Sequence, residues 1–145
     1  MRALVQRVTG ADVTVDGDVI ASIGPGLCAL VGVTHADGEV EAARLAEKLW
    51  QLRVFEDSEG KMNRAAADLE LPMLVVSQFT LYADTSRGRR PSFVEAAPPE
   101  QAEPLIDTLV GRLRALGASV ETGRFRARME LRLTNDGPVT LLLET

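Results

Sequence analysis

The chain carries few of the side chains from which active sites are usually built. It has one cysteine, Cys28, and one histidine, His35. No internal disulfide can form. Cys28 stands in the middle of "LCALVGV" and reads as a small core residue. No His/Cys cluster exists, so a zinc site would need Asp or Glu for most of its ligands, and no metal dependence is expected. Walker loops, dinucleotide fingerprints, G-x-S-x-G elbows and H-E-x-x-H helices are all missing. Long apolar runs are missing too. The longest, "LCALVGV", falls far short of the ~18 residues that suggest a membrane span. "MRALVQRV" enters a strand pattern directly, without the apolar core and cleavage site of a signal peptide, so the cytoplasm is the expected place.

Positive charge is also in deficit. Lysine and arginine total 16 against 21 aspartate and glutamate, a net charge of −5. That balance disfavours a general nucleic-acid binder, because phosphate neutralisation calls for basic surface. The charge is unevenly spread, however. Acidic residues crowd Asp37 to Glu59, whereas arginines crowd "RGRRP" (Arg87, Arg89, Arg90) and "GRFRARMELR" (Arg124, Arg126, Arg128, Arg132). A local basic face can hold a phosphate backbone; the same residues also serve as an ordinary solvated surface.

What is present fits one globular domain over residues 1–145, with 46% hydrophobic and 26% charged residues. "ADVTVDGDVIASI" alternates around Asp16-Gly17, a hairpin signal with a primed turn. "LCALVGV" is apolar on both faces, as a central strand is. "HADG" leads to a helix over 39–53, with Asp37 as N-cap and Val40, Ala43, Ala46 and Trp50 as its apolar stripe, widened by Leu45, Leu49 and Leu52. "RVFED" is a short strand, "SEGKMN" a loop and "LPMLVVSQFTLYAD" a longer strand. A second helix covers 100–116, with Ala102, Leu105, Leu109, Leu113 and Leu116 on one side and Gly117 as its stop. Pro104 either opens its regular part or costs it a hydrogen bond. Strands near 119–122, in "RMELRLT" and in "VTLLLE" finish the chain. The order ββ-βα-ββα-βββ describes an α/β fold, a mixed sheet packed with two amphipathic helices.

Two stretches stand out. In "SQFTLY" a strand reading sends Gln78 and Thr80 one way with Val76 and Tyr82, and Ser77, Phe79 and Leu81 the other. Both faces are then mixed in polarity, unusual after "MLVV". "NDGPVT" is either a plain hairpin turn or a device that aims backbone atoms. For side-chain catalysis, the residues allow a hydrolase built on Ser77 or Cys28 with His35. For binding, they allow an RNA-binding module using the arginine clusters.

The motifs "SQFT" (Ser77 to Thr80) and "GPVT" (Gly137 to Thr140), with "GKMN" and "RGRRPSF" between them, resemble the D-aminoacyl-tRNA deacylase family from the first strand to the last. One departure is visible: where the family reads "GxFGAxM" this chain reads "GRFRARM", with Arg126 in place of a glycine. The resemblance implies a homodimeric editing hydrolase that cleaves the ester between a D-amino acid, or glycine on the wrong tRNA, and the terminal adenosine. The substrate's own ribose hydroxyl assists, and no cofactor is implied. Its partner is the aminoacylated end of tRNA, not DNA or a membrane. On this resemblance Ser77, Gln78, Phe79 and Thr80 form the catalytic pocket, with Thr80 in a pocket role and not as nucleophile. Met129 is a pocket wall, and Gly137, Pro138, Val139 and Thr140 bind substrate. Residue by residue it also implies a cis Gly137-Pro138 bond inserted into the partner subunit's site, excluding L side chains.

Overall fold

The computed structural model describes residues 1–145. Eight strands, three helices and one 3₁₀ turn follow in the order β1 (Arg2–Val15), β2 (Asp18–Ile23), β3 (Gly26–Gly32), α1 (Glu39–Trp50), β4 (Arg53–Glu56), β5 (Met62–Ala65), α2 (Ala66–Leu69), β6 (Met73–Ser77), the 3₁₀ turn Phe79–Tyr82, α3 (Pro99–Ala115), β7 (Val120–Thr122) and β8 (Glu130–Glu144). The α/β expectation holds. β5 begins within what reads as the loop "SEGKMN" and runs on to Ala65, pairing with β4 as a small separate hairpin. The short helix α2 also has no counterpart in the sequence reading.

The main sheet runs β2-β1-β3-β6-β7, with β8 on the other edge of β1. β1 is antiparallel to β2, β3 and β8, whereas β3, β6 and β7 are parallel. The β1–β2 connection is the expected primed turn, with positive φ at both Asp16 (52°) and Gly17 (90°). β1 is long enough to serve two layers. Its register with β8 shifts between Gln6 and Gly10. Before the shift Ala3 and Val5 join the helix-side core; after it Ala11, Val13 and Val15 join a second core. β2 curls over towards β6 and β7, so the sheet almost closes around that second core.

The helices cover the first core. α3 buries Leu105, Ile106, Leu109, Val110 and Leu113. Leu109 and Leu113 are fully buried, worth roughly 1.5–3 kcal/mol each by area removed from water. Pro104 lies inside α3. As the sixth helical residue it lies past the first turn, so its intrahelical bond to the Glu100 carbonyl is forgone. α1 ends at Trp50, three residues before the expected 39–53 boundary. Its buried face is Ala42, Leu45, Ala46, Leu49 and Trp50, while Val40 is 65% exposed. The expected N-cap is also displaced by one residue. Gly38 occupies that position, its N–H bonded to Glu41 Oε2. Asp37 instead accepts the Thr34 N–H at 2.7 Å and pairs with the Met1 ammonium. No helix is long and apolar enough to cross a membrane.

Candidate active site

A cleft of about 600 Å³ opens where β3 and β6 end, the carboxyl edge at which parallel strands usually receive ligands. Val31, Val76 and Ser77 form its floor, Phe79 and Phe93 stand at its side, and Met129 closes it from the approach to β8. The walls are mostly apolar. They include no carboxylate, imidazole, thiol or amine, and Arg126 is the only charged residue among them.

The "SQFT" stretch departs from the strand reading at the place that matters. β6 stops at Ser77, and residues 79–82 coil into the 3₁₀ turn. Gly32 of β3 makes this possible. A Cβ there would lie 3.1 Å from the Gln78 carbonyl oxygen and 3.2 Å from Leu81 Cβ. The turn therefore packs directly on the β3 backbone. The Gln78 N–H bonds the Val31 carbonyl at 2.7 Å, the last ladder contact before the chain coils. At the start of such a turn the leading N–H groups, here those of Phe79 and Thr80, have no carbonyl within the turn to bond. Thr80 itself is exposed and does not line the cleft; its hydroxyl accepts a hydrogen bond from Gln78 Nε2. Phe79 and Phe93 meet edge to face, ring centroids 5.0 Å apart, and remain 56% and 38% exposed. Such an exposed aromatic pair suits stacking by a nucleobase.

The loop bearing Phe93 is tied to β3's exit. Thr34 Oγ1 donates to the Glu95 carbonyl at 2.6 Å, and the His35 ring nitrogen lies 2.8 Å from the Val94 carbonyl. His35 thus holds the loop and does not line the cleft with Ser77. Cys28 is buried among Val8, Leu74 and their neighbours, and burial pushes its thiol up to about 11. Neither residue supports a side-chain nucleophile here.

The "NDGPVT" stretch is not a hairpin. Residues 130–135 and 140–144 both pair antiparallel with β1, so β8 keeps its direction and residues 136–139 bulge from it opposite Arg7. The expected two strands are one. Asn135 clamps the bulge: its Oδ1 accepts the Val139 N–H at 2.7 Å and its Nδ2 donates to Thr140 Oγ1 at 2.8 Å. Gln6 Nε2 reaches the same hydroxyl at 3.1 Å. The 137–138 peptide bond is cis, as the resemblance implies. Gly137 has φ +133°, a conformation side chains rarely adopt. Gly137 and Pro138 are exposed.

Ser77, Gln78, Phe79 and Met129 are therefore brought together, while Thr80, Gly137, Pro138, Val139 and Thr140 lie outside this cleft. One residue the sequence reading missed is Arg7. It is 8% exposed, donates from its guanidinium to the Val54 carbonyl at 2.6 Å, and supports the 136–138 bulge through Asp136. Its signal was an arginine in an otherwise apolar inward row, Ala3-Val5-Arg7. Arg126, the departure in "GRFRARM", also lines this cleft. The Ala127 N–H bonds the Arg124 carbonyl at 3.2 Å, and Arg126 sits at the third position of that turn with φ +62°. This is the glycine position of a type II turn. A non-glycine side chain there costs about 1 kcal/mol.

Comparison with known proteins bears on this geometry. The family model described as D-Tyr-tRNA(Tyr) deacylase matches residues 4–144. A protein of Nocardia farcinica named D-aminoacyl-tRNA deacylase is 61% identical, covering 100% of both chains. One of the same name from Thermomicrobium roseum is 58% identical over 100% of this chain and 94% of its own. Among solved structures, one described as c-Myc DNA Unwinding Element Binding Protein superposes with TM-score 0.93 at 41% identity, covering 100% of this chain and 99% of its own. Another, described as a probable eukaryotic D-amino acid tRNA deacylase, has TM-score 0.86 at 16% identity, covers 99% and 98% of the two chains, and bears on fold alone.

Proposed function

This chain belongs to the D-Tyr-tRNA(Tyr) deacylase family, and on that premise we propose that it hydrolyses the ester joining a D-amino acid to the terminal adenosine of tRNA. The observation that carries this reading is the cleft itself: its walls hold no acid or base that could activate the Ser77 hydroxyl, yet backbone N–H groups start a turn at its edge. An aminoacyl ester is already activated. Water attacks its carbonyl carbon, and the N–H groups of Phe79 and Thr80 stabilise the oxyanion that forms. The tetrahedral species collapses with cleavage of the bond to the ribose 3′-oxygen. The leaving oxygen takes the water's proton, relayed by the neighbouring 2′-hydroxyl. Free D-amino acid and tRNA result. Ser77 and Gln78 shape the floor, Met129 walls the acyl group, and Phe79 with Phe93 stacks the terminal adenine. Positioning supplies the rest of the acceleration.

Chirality is read by exclusion. In this proposal a second copy of the chain inserts its Gly137-cisPro138 turn, flanked by Val139 and Thr140, over the cleft. The turn's backbone occupies the space an L side chain needs. Glycine, lacking a side chain, passes, so glycyl esters on the wrong tRNA are further substrates. Three features support a cross-subunit role. The turn is exposed, it is held by Asn135 and Arg7, and it does not reach its own cleft. Leu142, 54% exposed on the same strand, offers apolar area for a two-fold contact. The working form is a cytoplasmic homodimer acting on tRNA. Binding to a DNA unwinding element, the property named for the 41%-identical structure, finds little support in a net charge of −5.

Incubation with D- and L-aminoacyl-tRNA tests this function. Loss of the D ester with persistence of the L ester is expected. Binding of both without ester loss would reduce the protein to an RNA-binding module. Replacing the terminal 2′-hydroxyl with hydrogen should slow D-ester loss steeply; an unchanged rate would remove the RNA from the mechanism.

A further inference from the structure

Arg126 is the one charge on the rim of a neutral cleft, and the protein supplies it with no partner. None of the chain's ion pairs involves it, and its side chain is exposed. Its neighbours Phe125 and Ala127 line the same cleft, so the turn they share faces the substrate space. The backbone there, at φ +62°, is one that favours glycine. An unpartnered guanidinium kept in such a conformation at a cleft mouth suits a ligand group better than it suits the fold.

The substrate's chemistry names that group. On the reading above, the cleft takes an aminoacyl adenosine. That unit carries an α-ammonium at the acyl end. Its first anion is the phosphodiester joining the last two nucleotides. A guanidinium attracts the phosphate with paired N–H donors and repels the ammonium. The same charge thus holds the strand and sets its polarity, ester inward and backbone outward. We propose that Arg126 binds this last phosphodiester of the tRNA acceptor strand, as a substrate-positioning residue. The assignment rests on the deacylase reading for its substrate.

The test compares wild type, Arg126→Gly and Arg126→Lys on two substrates: full D-aminoacyl-tRNA, and the D-aminoacyl adenosine that lacks the phosphodiester. Glycine suits φ +62°, so Arg126→Gly should melt no lower than wild type. On tRNA it should raise KM roughly tenfold, the scale of one charged hydrogen-bonded contact, with the loss carried by KM. The slope of log(1/KM) against log[salt] should become shallower by about 0.7, one phosphate's worth on a single strand. Arg126→Lys should keep most of that slope. On aminoacyl adenosine the variants should equal wild type. An unchanged salt slope in Arg126→Gly, or an equal loss on both substrates, overturns the phosphate assignment while leaving the deacylase reading intact. Failure of wild type to cleave either substrate removes the function, and this assignment with it.

Discussion

Arg7 and Asp136 are joined twice. Arg7 Nε lies 3.2 Å from the Asp136 backbone carbonyl and 3.2 Å from its carboxylate Oδ2. Because the same guanidinium also holds Val54's carbonyl, β1 and the β4 hairpin fix the base of the bulge that carries Gly137 and Pro138. A Cβ on Gly137 would stand 3.3 Å from an Arg7 Nη nitrogen. The bulge is thus braced on the side facing its own subunit.

That bracing predicts the behaviour of Arg7→Lys. Lysine keeps the charge and loses the fork, so it can reach Val54 or Asp136 but not both. The variant should lose about 1–3 kcal/mol in denaturant unfolding, for a buried acceptor left unpaired. Its discrimination between D and L esters should fall more than its D-ester turnover. Unchanged discrimination in a destabilised variant would make Arg7 a core residue only.

Thr80→Ala tests whether a side-chain nucleophile exists. The Thr80 hydroxyl is occupied by Gln78 and stands outside the cleft. The variant should keep D-ester turnover within roughly tenfold of wild type, since removal of a single neutral hydrogen bond is the change made. Abolished turnover with an unaltered melting curve would restore Thr80 as the attacking group.

Much of this molecule was legible in sequence because local rules and global packing agreed. Asp16-Gly17 required positive φ and obtained it; Leu105, Leu109 and Leu113 kept helical spacing and lie in the core. The failures are long-range. Nothing within "SQFTLY" reports that Gly32, some 46 residues earlier in the chain, lets that segment coil onto β3. Nothing within "NDGPVT" reports that one strand, β1, pairs with both its flanks and turns an apparent hairpin into a bulge. Asp37 resembles an N-cap locally, yet Thr34 and the Met1 ammonium claim its carboxylate. Ser77, Gln78, Phe79 and Met129 meet in one cleft, whereas Arg7 escapes a local reading because its partners, the Val54 carbonyl and Asp136, are far away in the chain.

Cys28 gives a pH dependence of definite sign. Burial raises its thiol from 9.0 to about 11. A raised folded value means the contribution is intact below pH 9 and is lost as pH climbs towards 11, because the unfolded thiol ionises first. The two-unit shift corresponds to at most about 3 kcal/mol. Cys28→Ala should therefore flatten the alkaline fall in unfolding free energy between those limits, even though the smaller side chain lowers stability at pH 7. It should keep D-ester turnover, as should His35→Ala, whose ring only tethers the Val94 carbonyl. Loss of turnover in either variant, with fold intact, would revive a cysteine or histidine mechanism.

The cross-subunit role of the bulge can be separated from a role within one subunit by mixing two variants, one impaired in turnover and one in discrimination. Met129→Lys puts an uncompensated charge into the cleft wall and spoils the acyl site. Gly137→Ala places a Cβ 2.8 Å from Val139 Cγ2 at φ +133°, which deforms the bulge. Each homodimer should discriminate or turn over poorly. In a mixed dimer, one cleft is intact and faces an intact bulge, provided the bulge comes from the partner. The opposite pairing carries both lesions. Random reassortment makes about half the dimers mixed, so activity with correct L-exclusion should return to about a quarter of wild type in the unfractionated mixture and about half in purified mixed dimers. If each bulge serves its own subunit, both sites of the mixed dimer carry a lesion and mixing restores nothing. Co-expression with two affinity tags, followed by D- and L-ester assays on the doubly tagged fraction, decides between the two arrangements without requiring either variant to be stable alone.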